Sequence, residues 1–269
     1  IIKEDQTFNC FNFFNIYNGG GVAVGDINND GLPDVYFTGN QVENKLYLNK
    51  GNLTFEDITQ SSNVAGKKSW TTGVTMADVN GDGWLDIYVC QSGGAEASSE
   101  ELKNLLYINN GDLSFTERAE EFGIADDART NHAAFFDFDK DGDLDVYVVN
   151  HPLGFGDFIK TRLTKAQNPT DAQTDKLFRN DGNNKFTEVT NGARLRNYGF
   201  GLSASVSDFN NDGWPDIYVA NDYVEQDYLY FNNGDGTFSE CLKMAIPHTS
   251  NFSMGTDIAD FNNDGLIDI

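Results

Sequence analysis

Short apolar stretches alternate with polar, glycine-rich turns along nearly the whole chain, and within each stretch the alternation has the period of a strand. The segments GVAVGD, GVTMAD, AAFFD, SASVSD and GTDIAD each run into a polar loop. Taking alternate positions places Val22/Val24, Val74/Met76, Ala133/Phe135, Ala204/Val206 and Thr256/Ile258 on one face. The opposite face is mostly small, which suits a crowded innermost strand. After the loop, DVYF, DIYV, DVYV and DIYV read as a second strand carrying Tyr36, Tyr88, Tyr147 or Tyr218. A further block follows each: NKLYLNKGNLTFEDIT, NLLYINNGDLSFTERA, DKLFRNDGNNKFTEVT and DYLYFNNGDGTFSECL. Two apolar runs flanking a glycine turn predict a hairpin, with Phe55, Phe115, Phe186 and Phe238 packing between sheets.

Both blocks recur in the same order, so the repeat organises the whole chain. Four antiparallel strands per unit of about 50 residues predict an all-β fold, a β-propeller of four-stranded antiparallel blades. The units cover about residues 20–66, 71–125, 132–193 and 200–246, with 254–269 an incomplete fifth. Closing a ring takes roughly six to eight blades, so the chain, with about 4.5, reads as part of a longer protein. Its start at Ile1 without a Met reads as a processed or trimmed product. Residues 1–19 form a separate N-terminal segment, whose aromatic stretch from Phe8 to Tyr17 is the candidate for a closing strand.

The loop between the first two strands carries the chemistry. It is nine residues long and starts at Asp26, Asp78, Asp137, Asp208 and Asp260. Oxygen-bearing side chains stand at its positions 1, 3, 5 and 9, and glycine at position 6. The sets are Asp26, Asn28, Asp30, Asp34; Asp78, Asn80, Asp82, Asp86; Asp137, Asp139, Asp141, Asp145; Asp208, Asn210, Asp212, Asp216; and Asp260, Asn262, Asp264, Asp268. These oxygens, with a carbonyl near position 7, form a cage of hard ligands, and the glycine allows the sharp turn around it. Oxygen ligands without His or Cys select Ca²⁺, at up to five sites, with Mg²⁺ the weaker alternative. A metal-free turn would crowd several carboxylates with nothing to neutralise them. An EF-hand needs Glu at position 12, where this chain has Phe37, Val89, Val148 or Val219 within a strand. The third loop alone has four acidic ligands and is expected to fill first.

Charge fits this reading. There are 42 acidic and 18 basic residues, a net charge of -24, which repels nucleic acid. Seventeen of those acids lie in the five loops, and five Ca²⁺ at +2 each would bring the charge to about -14. No apolar run approaches the ~18 residues of a membrane span. Cys10, Cys90 and Cys241 are scattered, without metal-ligand or disulfide spacing, and read as buried thiols. No nucleophile elbow, HExxH or P-loop is present, and the sequons at Asn52 and Asn251 read as chance.

GGGVAVGDINNDGLPDVYF, TTGVTMADVNGDGWLDIYV and NNGDGTF resemble the FG-GAP/VCBS repeats of calcium-binding β-propellers, a type also found in integrin α-subunit heads. The order of segments is similar to that of bacterial ASPIC/UnbV-group surface lipoproteins of Bacteroidetes, over about residues 8–269. The resemblance implies Ca²⁺ in the loops and an extracellular or outer-membrane location, with lipid anchoring through a segment outside this chain. It also implies a neighbouring outer-membrane transporter complex. Ca²⁺ then stiffens the blades, and recognition falls to the opposite rim. That rim gathers half of the basic residues and all three histidines, and its candidate ligand-binding residues are Trp70, Arg129, His132, His151, Arg196, Tyr198 and Phe252. Residues 150–176, containing HPLGFGDF, are a candidate docking loop. Such a mixture suits a glycan, peptide or protein partner. The expectation is a non-enzymatic binding or scaffold module. The alternative is a calcium-dependent polysaccharide lyase, since some rhamnogalacturonan lyases are also propellers. A lyase needs a base near the cation, and the histidines lie on separate units.

Overall fold

The structure, a computed structural model, describes all residues except 1, 5, 7–8, 11–15, 17–18, 68, 95, 153–173, 198 and 224. Tyr198 and most of the docking loop and of the Phe8–Tyr17 stretch therefore lie outside the described residues. The described strands form four sheets of four, each antiparallel and each ordered as its strands follow in the chain. The first is β1 (Val22–Gly25), β2 (Asp34–Phe37), β3 (Lys45–Asn49) and β4 (Phe55–Asp57). The second is β5 (Thr71–Ala77), β6 (Asp86–Gln91), β7 (Leu105–Asn109) and β8 (Phe115–Glu117). The third holds β9 (Thr130–Phe136), β10 (Asp145–Asn150), β11 (Lys176–Asn180) and β12 (Phe186–Glu188). The fourth holds β13 (Phe200–Ser207), β14 (Asp216–Asp222), β15 (Tyr228–Asn232) and β16 (Phe238–Glu240). These are the blades of a β-propeller. Only one-turn helices occur among the described residues: α1 (Ser99–Leu102), α2 (Ala119–Phe122) and α3 (Leu242–Ala245).

The chain divides into two compact units. One contains the first two blades, with residues up to Thr130 and 182–185; the other contains the remaining described residues. In the first unit, Ala23, Tyr36, Leu46, Leu48 and Ile58 of the first blade pack against Val74, Ile87, Val89, Tyr107 and Phe115 of the second. In the second unit, Tyr147, Val149 and Leu177 pack against Ala204, Ile217, Val219, Tyr230 and Phe238. The strand faces predicted from alternation are found: Val74 and Ala204 look onto the blade before them. Val22 and Val24, on the equivalent face of the first blade, are 56% and 61% exposed.

The repeated tyrosines do what a buried phenol must, which is to find a hydrogen-bond partner. Tyr36 donates to Val64 O at 2.7 Å and Tyr88 to Ile124 O at 2.8 Å. Tyr147 donates to Asp175 at 2.8 Å and Tyr218 to Asp227 at 2.6 Å. Tyr36 and Tyr88 thus anchor the second strand to the chain after the fourth, and Tyr147 and Tyr218 anchor it to the residue before the third. The fifth repeat forms no sheet among the described residues, and a single bridge between Ala259 and Asp268 closes its loop.

Candidate metal centre

All five nine-residue loops are held by one pattern of short-range hydrogen bonds. In the first, the N–H groups of Asp30 and Gly31 donate to the two oxygens of Asp26 at 3.1 and 2.7 Å. Leu32 N–H donates to Asp30 at 2.9 Å, and Ile27 N–H to Asp34 at 3.0 Å. The same bonds recur around Asp78, Asp137, Asp208 and Asp260, within 2.7–3.1 Å. The position-6 glycine makes this closure possible: Gly31, Gly83, Gly142, Gly213 and Gly265 have φ of 86°, 88°, 98°, 91° and 85°. A side chain there would be strained.

The position-9 acid stands at the base of the loop, where the second strand begins. Asp34, Asp86, Asp145 and Asp216 are fully buried. One oxygen of each accepts from the position-2 N–H, and the other accepts from the N–H of Asn49, Asn109, Asn180 or Asn232 at the end of the third strand. Burial pushes Asp86 and Asp145 up to about 7 and Asp216 up to about 6, and it raises Asp34. The backbone donors oppose that rise, while the acids at positions 1 and 5 of the first, second and fourth loops add to it. Buried carboxylates crowded by other acids are groups that a bound cation would stabilise.

Position 3 separates the third loop from the others. Asn28, Asn80, Asn210 and Asn262 each donate an amide hydrogen to the position-5 Asp, at 2.9–3.0 Å. Asp139 has no hydrogen to give. Its Oδ1 is buried and makes no hydrogen bond among the described residues. Oxygens of Asp137, Asp139 and Asp145 lie within 4.8 Å of one another, the one such acidic group among the described residues. Burial and its Asp141 neighbour raise the pKa of Asp139. A carboxylate with one orphaned, buried oxygen, in a group of three converging acids, fits a hard divalent cation.

The opposite-rim candidates are not gathered into one site. In the first unit, Trp70 is buried with Ile16. Arg129 is also buried, donating to the carbonyls of Ser92 and Gly94, and burial lowers its pKa. Both side chains hold loops from inside rather than face solvent. In the second unit, His132 is half-buried, and its Nδ1 accepts from Ala204 N–H at 3.3 Å. Burial lowers its pKa. His151 is buried, edge-on to Phe200. Phe200 meets Tyr223, and Tyr223 meets Phe252, in successive edge-to-face contacts at 5.4 and 6.3 Å. Phe252 and Arg196 are exposed.

Sequence reasoning missed two sets. The hairpin asparagines Asn49, Asn109, Asn180 and Asn232 brace the position-9 acids. They recur at one place in the second block, which was the available signal. Asn44, Asn104, Asp175 and Asp227 precede the third strands and receive the backbone N–H of Gly39, Gln91, Asn150 and Asn221. They too were visible as a polar residue before each apolar run.

The same segments are matched by a known family. The FG-GAP-like repeat matches residues 26–89, 95–148, 166–219 and 208–269. Cartilage acidic protein 1 of Xenopus tropicalis is 30% identical over 240 residues, covering 87% of this chain and 34% of that protein. The Mus musculus protein of the same name is 28% identical over 235 residues, covering 86% and 33%. Integrin alpha-7 of Mus musculus is 35% identical over 92 residues, covering 30% of this chain and 8% of that protein. The chain thus spans about a third of the length of the cartilage acidic proteins it matches. With four matched segments lying on the blades and loops just described, the chain belongs to the FG-GAP-like repeat family.

Proposed function

We propose that the chain is a calcium-stabilised, non-enzymatic binding or scaffold module that works outside the cell. The observation that carries this is Asp139, a half-buried carboxylate with one unpartnered buried oxygen, grouped with Asp137 and Asp145 in a loop shape that all five repeats share. Ca²⁺ would be held by the acids and Asn at positions 1, 3, 5 and 9, and it would neutralise the negative charge these side chains gather. Sites of this ligand type suit the calcium levels of extracellular modules, about 10⁻⁴–10⁻³ M.

Kinship to cartilage acidic protein 1 and integrin alpha-7 supports binding rather than catalysis, and a protein partner first. The exposed Phe252, backed by Tyr223 and Phe200, is the rim surface where such a partner would dock. A glycan, or an outer-membrane uptake complex with lipid anchoring, is the finer reading drawn from the bacterial repeat proteins. A lyase base is not favoured, because His132 and His151 are engaged inside the second unit.

Thermal melting in Ca²⁺ and in EDTA, with peptide, neutral-glycan and uronate-polymer panels, tests the proposal. A large EDTA-induced fall with a ligand-specific rise in Ca²⁺ supports it. No change with EDTA overturns the calcium part. New absorbance near ~235 nm on the uronate panel, from unsaturated product, overturns the non-enzymatic part.

A further inference from the structure

Two side chains that the metal reading does not use join the neighbouring loops inside each unit. In the first unit Asn109 is buried at the base of the second loop. Its N–H donates to Asp86 at 2.8 Å, and its Nδ2 donates to Leu85 O at 3.1 Å. The same Nδ2 donates to Ile27 O, at 2.8 Å, across to the first loop. Ile27 N–H in turn donates to Asp34. An unbroken path therefore runs from the position-9 acid of one loop to that of the next. A second tie lies at the loop tips, where Asn29 Nδ2 donates to Gly83 O at 3.1 Å.

The second unit repeats this arrangement. Asn232 N–H donates to Asp216 at 2.8 Å, and its Nδ2 reaches Pro215 O at 3.3 Å and Phe138 O at 2.8 Å. Phe138 N–H donates to Asp145 at 2.9 Å. The tip contact has different chemistry here: Lys140 Nζ sits 4.2 Å from the centroid of the Trp214 ring. Both Asn29 and Lys140 stand at position 4 with positive φ, 56° and 61°.

We propose that Asn109 and Asn232 are positioning residues that couple the two cation loops of each unit, so that filling one loop strengthens binding at the other. The inference rests on the calcium reading above. A cation that fixes Asp86 also fixes the Asn109 strand end, whose amide holds the entry to the first loop. Coupling of this kind is reciprocal.

Ca²⁺ titration of the whole chain, followed by NMR, tests it. The position-6 amides of Gly31, Gly83, Gly142 and Gly213 each report one loop. Crippling the first loop with Asp30→Asn should weaken Ca²⁺ binding at Gly83 about fivefold or more, and Asp82→Asn should weaken binding at Gly31 by the same factor. Gly142 and Gly213 serve as the internal reference. In an Asn109→Ala background the Asp30→Asn effect on Gly83 should shrink towards none. Asn29→Ala, at an exposed position, should reduce it in part. Independent titration of Gly31 and Gly83 in the otherwise unaltered chain overturns the coupling while leaving the calcium reading intact. So does a Gly83 effect undiminished by Asn109→Ala. If no glycine amide responds to Ca²⁺, the calcium reading falls and the coupling with it.

Discussion

Replacing Asp139 by Asn should move the metal-free and the calcium-loaded protein in opposite directions. Asp139 shares its loop with Asp137 and Asp145, their oxygens within 4.8 Å. Two unit charges at that separation repel by about 1 kcal/mol in a water-like medium and about 3 kcal/mol at an effective dielectric of 20. Burial pushes Asp145 up to about 7, so near neutral pH it carries its charge only part of the time. Asp141 adds to the repulsion on Asp139 and Arg179 offsets part of it, so the relief on neutralising Asp139 is nearer one pair than two, about 1–3 kcal/mol. The introduced amide can also donate to Asp141, as Asn28 does to Asp30. Urea unfolding in EDTA should therefore show a more stable protein. In saturating Ca²⁺ the cation loses a charged ligand, each tenfold weakening of the site corresponds to about 1.4 kcal/mol, and the sign reverses once the site weakens by more than about a hundredfold. Tryptophan fluorescence through the unfolding transition in both buffers supplies the two numbers. A variant less stable than wild type in EDTA would refute the reasoning, since Asp139 would then be serving the fold rather than a cation.

The buried tyrosines should differ in worth by blade. Tyr36→Phe removes a neutral bond to Val64 O and should cost about 0.5–1.5 kcal/mol, whereas Tyr147→Phe strips a donor from buried Asp175 and should cost about 1.5–3 kcal/mol. Equal losses in denaturant unfolding would sink this distinction. Gly234→Ala should destabilise by roughly 1 kcal/mol more than Gly51→Ala, because both have positive φ but only the former drives a methyl to 2.8 Å from the Trp214 ring. Matching melting temperatures for the two variants would count against it. Asp57 is held down at about 2, first by the Thr59 hydroxyl and then by Lys45. A depressed folded-state pKa means its stabilisation is full above about pH 4 and lost as pH falls towards 2. Carboxyl-carbon NMR titration should find that Thr59→Val raises this pKa more than Lys45→Gln does, and the reverse order would contradict the assignment.

The blades were legible because each strand carries its own alternation and each turn its own glycine. The loops were more legible still, since the bonds that close each turn on itself span seven residues or fewer. Periodicity could not say which faces meet a neighbour. Val22 and Val74 hold equivalent places in their repeats, yet Val74 packs against the first blade and Val22 faces outward. The rim was the least legible part. Trp70 and Arg129 look like surface recognition residues in a polar stretch, but the long chain around them folds back and buries them. Their partners are carbonyls and side chains far along the chain, which no local pattern encodes. The hairpin asparagines went unseen because an Asn beside a glycine turn already has a sufficient local explanation.

The strand order within each blade follows the chain without a crossover, and even the fifth loop, with one bridge behind it, keeps the bonds of the other four. In kinetic terms, most of what each blade must find lies close along the chain, so little loop entropy opposes its formation. The nine-residue turn needs no sheet to take its shape and can form before the strands that flank it. A blade can then grow outward by successive hairpins from that turn, and only its face-to-face packing waits on another repeat. Damage to one turn should accordingly slow the appearance of its own blade first, and that of the others only through the packing they share.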